Sequence, residues 1–175
     1  SSDASNLERI NRWSCALSMW SEKPVVGWGP GTYQFNYAPF QRSEHRTLIS
    51  TNNADRGNSH SEYLGPLAEQ GLPGCLIILT LLWLTSTMGF RTYRAWRKVD
   101  RWTSLWAMSI YLGLLTYFIH GVLNNYLDTD KASAPFWGFL AILVALDLNV
   151  RKSGSSTKRY HQQDLPSPDG APNPR

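Results

Sequence analysis

The chain has 175 residues, 42% of them hydrophobic, and a formal net charge of +4. Its average hydropathy is mildly polar, yet the apolar residues concentrate between Leu72 and Val150. Basic residues gather in one short loop and in the tail, with no basic stripe interleaved with aromatics, and this argues against a nucleic-acid partner.

The eight tryptophans and eight tyrosines suit a protein that sits at bilayer interfaces. Cys15 falls on a predicted amphipathic helix and Cys75 inside an apolar run, so a disulfide between them is not expected, and no Cys/His spacing points to a metal. The sequence opens on polar residues without a basic-then-apolar signal, which reads as a piece cut from a longer protein.

Residues 6–20 predict an amphipathic helix. Ser5-Asn6-Leu7-Glu8 fits a capping box, with Ser5 bonding forward and Glu8 reaching back. Leu7, Ile10, Trp13, Leu17 and Trp20 recur at three- and four-residue steps and form an apolar stripe flanked by Arg9 and Arg12. Such a helix is either an ordinary surface helix with solvated arginines or one lying on a membrane, offering guanidinium groups to anionic headgroups.

Pro24 ends that region. Gly27-Trp28-Gly29-Pro30-Gly31 follows, a loop whose glycines permit tight turns and close backbone approach. It is no dinucleotide fingerprint: the last spacing is wrong and Pro30 intervenes. Thr32 to Gln41 carries Tyr33, Phe35, Tyr37 and Phe40, an aromatic segment expected to be extended or to pack on the bilayer face. Residues 42–58 read as a flexible polar loop.

His60 then stands one short helix before a membrane entry point. An ionisable group held there is a functional candidate; the plain alternative is a helix cap shared with Asn58 and Ser59. A helix N-terminus would also disfavour the charged imidazolium. On a straight helix Tyr63 and Leu64 share the face of His60. Glu62 and Glu69 lie about 200° and 180° away unless Pro66 bends the helix, and Glu69 reads as structural.

Spans are expected at about 72–90, 104–123 and 132–148, the first close to the roughly 20 residues that cross hydrocarbon. Arg91, Arg94, Arg97, Lys98 and Arg101 mark the connection between the first two as cytoplasmic. Residues 1–71 and 124–131 then lie outside, and the tail lies inside. His120 needs a partner or wet cavity, whereas Asp147 is expected to reach cytoplasmic water. After Lys152 the composition turns to Ser, Gly, Pro and charge, and residues 151–175 are expected to be a disordered cytoplasmic tail. The fold class is therefore an all-α membrane protein. Three transmembrane helices of a larger bundle follow an extracytoplasmic loop region with short amphipathic helices.

Three pieces, in this order, carry a resemblance. They are Arg9 with Trp13 (R-x-x-x-W), Pro24 through Gly31, and His60 through Leu64 with Glu69, Gly71 and Gly74. Over about residues 6–150 the chain resembles the C-terminal part of the O-antigen ligase and O-antigen polymerase family of bacterial membrane glycosyltransferases. The resemblance implies a multi-pass protein of the inner membrane, with transmembrane helices upstream of this sequence. Its members take a glycan from an undecaprenyl-diphosphate carrier and pass it to the lipid A core or to another carrier-linked glycan, and some relatives glycosylate proteins. By motif the family's essential histidine carries over to His60, and one of its arginines to Arg9. Trp13, Gly27, Gly29, Gly31, Glu69 and Gly71 occupy the remaining motif positions. Arg12 and Tyr63 join them as substrate-binding candidates.

The chemistry accords with this. A neutral imidazole can take the proton of an attacking sugar hydroxyl, an effect of about 10²–10⁴ in rate. Guanidinium groups can grip a departing diphosphate. No metal or other cofactor is required, and the expected partners are the lipid-linked donor, the glycan or lipid A acceptor and membrane lipids. The competing reading is a non-enzymatic membrane subunit or transporter fragment, which accounts for the spans but gives His60 no work. Asn124 to Asp128 is a further outside loop that could line the acceptor side.

Overall fold

The computed structural model describes residues 2–46, 50 and 57–163. The described residues are helical and contain no strand. Helix α1 spans Ser2–Glu22, a short α2 spans Tyr33–Asn36, and three long helices follow: α3 Leu64–Trp96, α4 Arg101–His120 and α5 Asp130–Gln163. The last three contain segments long and apolar enough to cross a membrane.

Helix α1 buries a face other than the apolar stripe. Glu8, Asn11, Arg12, Cys15, Ala16 and Met19 are buried, whereas Ile10 and Leu17 are 48% and 46% exposed. The buried set also recurs at three- and four-residue steps, and its polar members find partners. Asn11 donates to Gln41 Oε1 (3.1 Å) and the Arg12 Nε donates to Glu8 Oε1 (2.6 Å). The expected capping box is absent: the helix starts at Ser2, so Ser5 lies within it and Glu8 pairs with Arg12.

Cys15, Ala16 and Met19 form the outer core with Tyr33, Tyr37 and Ala68. The aromatic segment is thus helical and packs on α1. Tyr33 and Tyr37 stack at 5.5 Å, and the Tyr33 hydroxyl donates to the Arg12 carbonyl (2.8 Å). Phe35 alone of the segment's aromatic residues stays largely exposed, at 57%. In the polar loop expected over 42–58, residues 47–49 and 51–56 lie outside the described residues.

Helix α3 breaks at Gly71 (φ 68°, ψ −157°), not at Pro66. Short connections then fold α3, α4 and α5 back on one another around Ala107, Tyr111, Leu114, Phe118, Phe136 and Leu143. Asp100 starts α4 by accepting from the backbone N–H groups of Trp102 (3.2 Å) and Thr103 (3.0 Å). Asp147 does not reach open water. It is 4% exposed and accepts from Arg91 Nε (2.9 Å), Arg91 Nη2 (2.8 Å), Thr92 (3.1 Å) and Arg151 Nε (2.8 Å). A carboxylate among apolar helices must be paired, and the Arg91 and Thr92 donors tie α3 to α5. His120 sits exposed in the last turn of α4.

The third span ends later than its apolar run. Helix α5 continues past Arg151 to Gln163, where a disordered tail is expected. Once a helix is nucleated, each further residue adds a hydrogen bond at little cost. Residues 164–175 of that tail lie outside the described residues.

Candidate functional site

The loop after α1 and the first turns of α3 are built for each other. Pro73 has no N–H, so the Glu69 carbonyl lacks its helical partner, and Gly29 N–H donates to it at 2.7 Å. The turn at Gly71 sends the Leu72 N–H to the Pro24 carbonyl (2.9 Å), which frees the Ala68 carbonyl for the Trp28 N–H (3.1 Å). Glu69 completes the seat: its carboxylate accepts from the Gly31 N–H (2.9 Å) and the Tyr33 N–H (2.8 Å). A Cβ at Gly27 would lie 2.3 Å from the Glu69 carbonyl carbon, and one at Gly71 would lie 2.4 Å from the Val25 carbonyl oxygen. Two pieces of sequence some forty residues apart are therefore one structural unit, with Gly27, Gly29, Gly31, Glu69 and Gly71 all used in it.

His60 is presented by the segment that enters this unit. It lies before α3 rather than on it, with the left-handed φ of 49°. Its N–H donates to Asn58 Oδ1 at 3.2 Å, which holds that turn. The helix cap is Ser61, whose Oγ accepts from the N–H groups of Tyr63 and Leu64, both at 3.3 Å. Neither His60 nor Asn58 or Ser59 caps α3, and the helical-face argument linking His60 to Tyr63 does not apply. The Tyr63 hydroxyl instead donates to the Phe118 carbonyl at 3.0 Å, joining α3 to α4.

The half-buried His60 faces the charges of α1. Burial first, then the nearby Arg12 and Arg9, hold its imidazole below the ordinary value of 6.5, while Glu8 acts in the opposite sense. The helix-terminus field expected from sequence is replaced by two guanidinium groups.

Those groups differ. Arg9 is half-buried and makes no ion pair or hydrogen bond among the described residues. Arg12 is buried, paired with Glu8 and seated 4.2 Å over the Tyr37 ring. One of its nitrogens, Nη1, is buried without an acceptor among the described residues. It rests against Gly57, where a Cβ would come within 2.2 Å of it. Glu8 uses its second oxygen to accept from Ser50. Trp13 is half-buried on the neighbouring face, its indole N–H likewise without a partner.

Sequence reasoning missed the importance of Glu62. Its N–H donates to the Gly121 carbonyl (2.8 Å), and its carboxylate accepts from the Leu127 N–H and the Tyr117 hydroxyl (3.3 Å). This clamps the His60 segment to the connection between α4 and α5. Burial pushes its carboxyl above the usual range, and the Leu127 N–H partly opposes that. Nothing in the local sequence points to partners so distant along the chain.

The segment 57–59 also borders a cleft of about 300 Å³, lined among the described residues by Gly31, Tyr33, Gln34, Gly57, Asn58, Ser59, Glu69 and Asp128. Among the described residues no group of three or more His, Cys, Asp or Glu is placed to hold a metal ion. Cys15 and Cys75 are free thiols.

Fold and site together describe a helical membrane protein with a polar, arginine-bearing region at one end of its spans. A family model described as O-antigen ligase matches residues 1–79. That match takes in all three motif pieces, so over residues 1–79 the chain is similar to this family. No curated protein matches the chain.

Proposed function

We propose that the chain forms the C-terminal part of an integral-membrane glycosyltransferase. It moves a glycan from an undecaprenyl-diphosphate carrier to an acceptor hydroxyl, either on the lipid A core or on a second carrier-linked glycan. The observation that supports this reading is the grouping of His60 with Arg9 and Arg12: an imidazole whose pKa is held down, beside one guanidinium without a partner among the described residues and one incompletely paired there. A lone cap histidine needs neither arginine.

In this reaction the His60 imidazole takes the proton of the acceptor hydroxyl as its oxygen bonds to the anomeric carbon. The bond from that carbon to the carrier's phosphate oxygen breaks, and the diphosphate leaves with the electron pair. Charge grows on the leaving diphosphate, so arginine contacts tighten in the transition state and lower the barrier. Arg9 is the group available for a forked contact, and Arg12 adds positive potential from behind. A depressed imidazole pKa keeps the base unprotonated near neutral pH. The His60 region faces the extracytoplasmic side, and upstream helices of the full-length protein complete the diphosphate site.

The test is His60→Ala in the full-length protein, with transfer of carrier-linked glycan measured at matched membrane abundance. Loss of a base is expected to lower the rate about 10²–10⁴-fold. Near-normal transfer would remove His60 from the mechanism and leave it a structural residue of the turn before α3.

A further inference from the structure

We infer that the cleft behind Asn58 and Ser59 binds a sugar residue through its hydroxyl groups. This rests on the glycosyl-transfer reading and assigns a place to the part of the substrate that the arginines do not hold. The cleft and the arginines meet at one wall: Gly57 lies against the Arg12 guanidinium and also lines the cleft. His60 follows directly from Asn58 and Ser59 in the same wall.

The lining has the chemistry of a hydroxyl site and not of a phosphate site. Among the described residues it contains no lysine or arginine, and it contains two carboxylates, Glu69 and Asp128. A diphosphate would be repelled there. Each sugar hydroxyl both donates and accepts a hydrogen bond, so it needs donors and acceptors interleaved. The Gln34 side-chain amide makes no hydrogen bond among the described residues, and Asn58 uses only its Oδ1. Two amide donors on lining residues thus have no partner among the described residues. Asp128 accepts from Asn125 through Oδ2 (2.6 Å) and keeps Oδ1 as a further acceptor. A volume of about 300 Å³ is at the small end for ligand pockets, in keeping with one ring rather than a chain.

The walls are also held in advance. Glu69 fixes the backbone at Gly31 and Tyr33, next to Gln34. The Glu62 clamp on Leu127 fixes the turn that carries Asp128. Ser59 donates to the Ser61 carbonyl (3.1 Å). Prearranged groups lose less entropy on binding.

The sugar can belong to the donor or to the acceptor, and steady-state kinetics separates the two. Gln34→Ala and Asp128→Asn are made in the full-length protein in membranes, and transfer is measured while carrier-linked donor and acceptor are varied separately. Each variant is expected to raise the KM for one and the same substrate about 2- to 10-fold, the size of one neutral hydrogen bond, with kcat within about twofold. The substrate whose KM moves is the one in the cleft. The Gln34 side chain makes no hydrogen bond among the described residues, so its loss is expected to leave folding intact, and Asp128→Asn preserves the shape of the turn. Unmoved KM values for both substrates overturn the assignment, as does a fall in kcat alone. If His60→Ala abolishes transfer while both KM values stay fixed in the cleft variants, only the cleft assignment fails. If His60→Ala transfers normally, the assignment of His60 as the base fails, and the KM values of the cleft variants still decide the cleft.

Discussion

Arg9 and Arg12 stand three residues apart on one helix and do different work. Arg12 is an interior residue, and removing it would leave Glu8 without its charge partner, a loss of about 3–5 kcal/mol for a broken buried pair. Arg12 is therefore no neutral control for Arg9, as a solvated arginine would have been. Arg9 is better tested by two substitutions of its own. Burial first, then both arginines, hold the His60 pKa below the ordinary value of 6.5, and in the proposed mechanism the protonated imidazole is inactive. Activity should be full above that lowered value and should be lost as pH falls through it. Arg9→Lys keeps the charge but not the fork, so transfer should drop while the acid limb stays in place. Arg9→Gln removes both, so transfer should drop and the acid limb should move to higher pH. A pH profile of kcat/KM for the three proteins checks this, and an unmoved limb in Arg9→Gln would separate the arginine from the imidazole. The R-x-x-x-W and histidine motifs made His60 and Arg9 candidates in the sequence, and the fold brings the charge of Arg9 to bear on His60. The burial of Arg12 was not legible, because its partners come from Tyr37 and Gly57, and the tryptophan-rich stripe beside it looks like the buried face.

The seat formed by the glycine loop and α3 explains why a long apolar helix carries Gly71 and Pro73. The missing Pro73 N–H and the turn at Gly71 expose carbonyls that the loop then occupies. The backbone at Gly71 lies in a region open essentially to glycine alone, at about 1–3 kcal/mol for any other residue. Gly71→Ala adds a contact of 2.4 Å with the Val25 carbonyl to that strain, whereas a Cβ at Gly31 meets nothing within 4 Å. Gly31→Ala is thus expected to cost about 1–2 kcal/mol from its left-handed backbone alone, and Gly71→Ala distinctly more. Thermal unfolding in detergent of the two variants checks the order, and equal losses would mean that the loop does not press on α3. The spans themselves were plain in the sequence, since an apolar run is read by composition. Their interruption was not, because a glycine before a proline at the edge of such a run reads as a helix beginning. The Glu62 clamp and the Asp147 ties were hidden for a related reason: each joins residues more than fifty positions apart, and no local pattern records such a pair.

At the scale of the whole chain, the antiparallel helices put unlike chemistry at opposite ends of the membrane segment. Glu62 joins the His60 segment to Gly121 and Leu127, so that segment and the connection between α4 and α5 share one end. Arg91, Asp147 and Arg151 meet towards the other end, beside the connection carrying Arg97, Lys98 and Arg101. The twenty residues of α4 measure about 30 Å along the axis, which matches the hydrocarbon thickness. The helices therefore separate the two ends by one bilayer, and the basic connection decides which faces the cytoplasm. Single cysteines at Ser43 and Lys98, both exposed, report on the two ends. Native Cys15 contributes little background, being buried with its thiol pushed up to about 11. A membrane-impermeant maleimide should label Ser43→Cys in intact spheroplasts, and Lys98→Cys only after the membrane is opened. The reverse pattern would put His60 on the cytoplasmic side, where a carrier-linked glycan on the outer face is out of reach. Labelling of both positions in intact spheroplasts would mean that the spans do not cross as drawn.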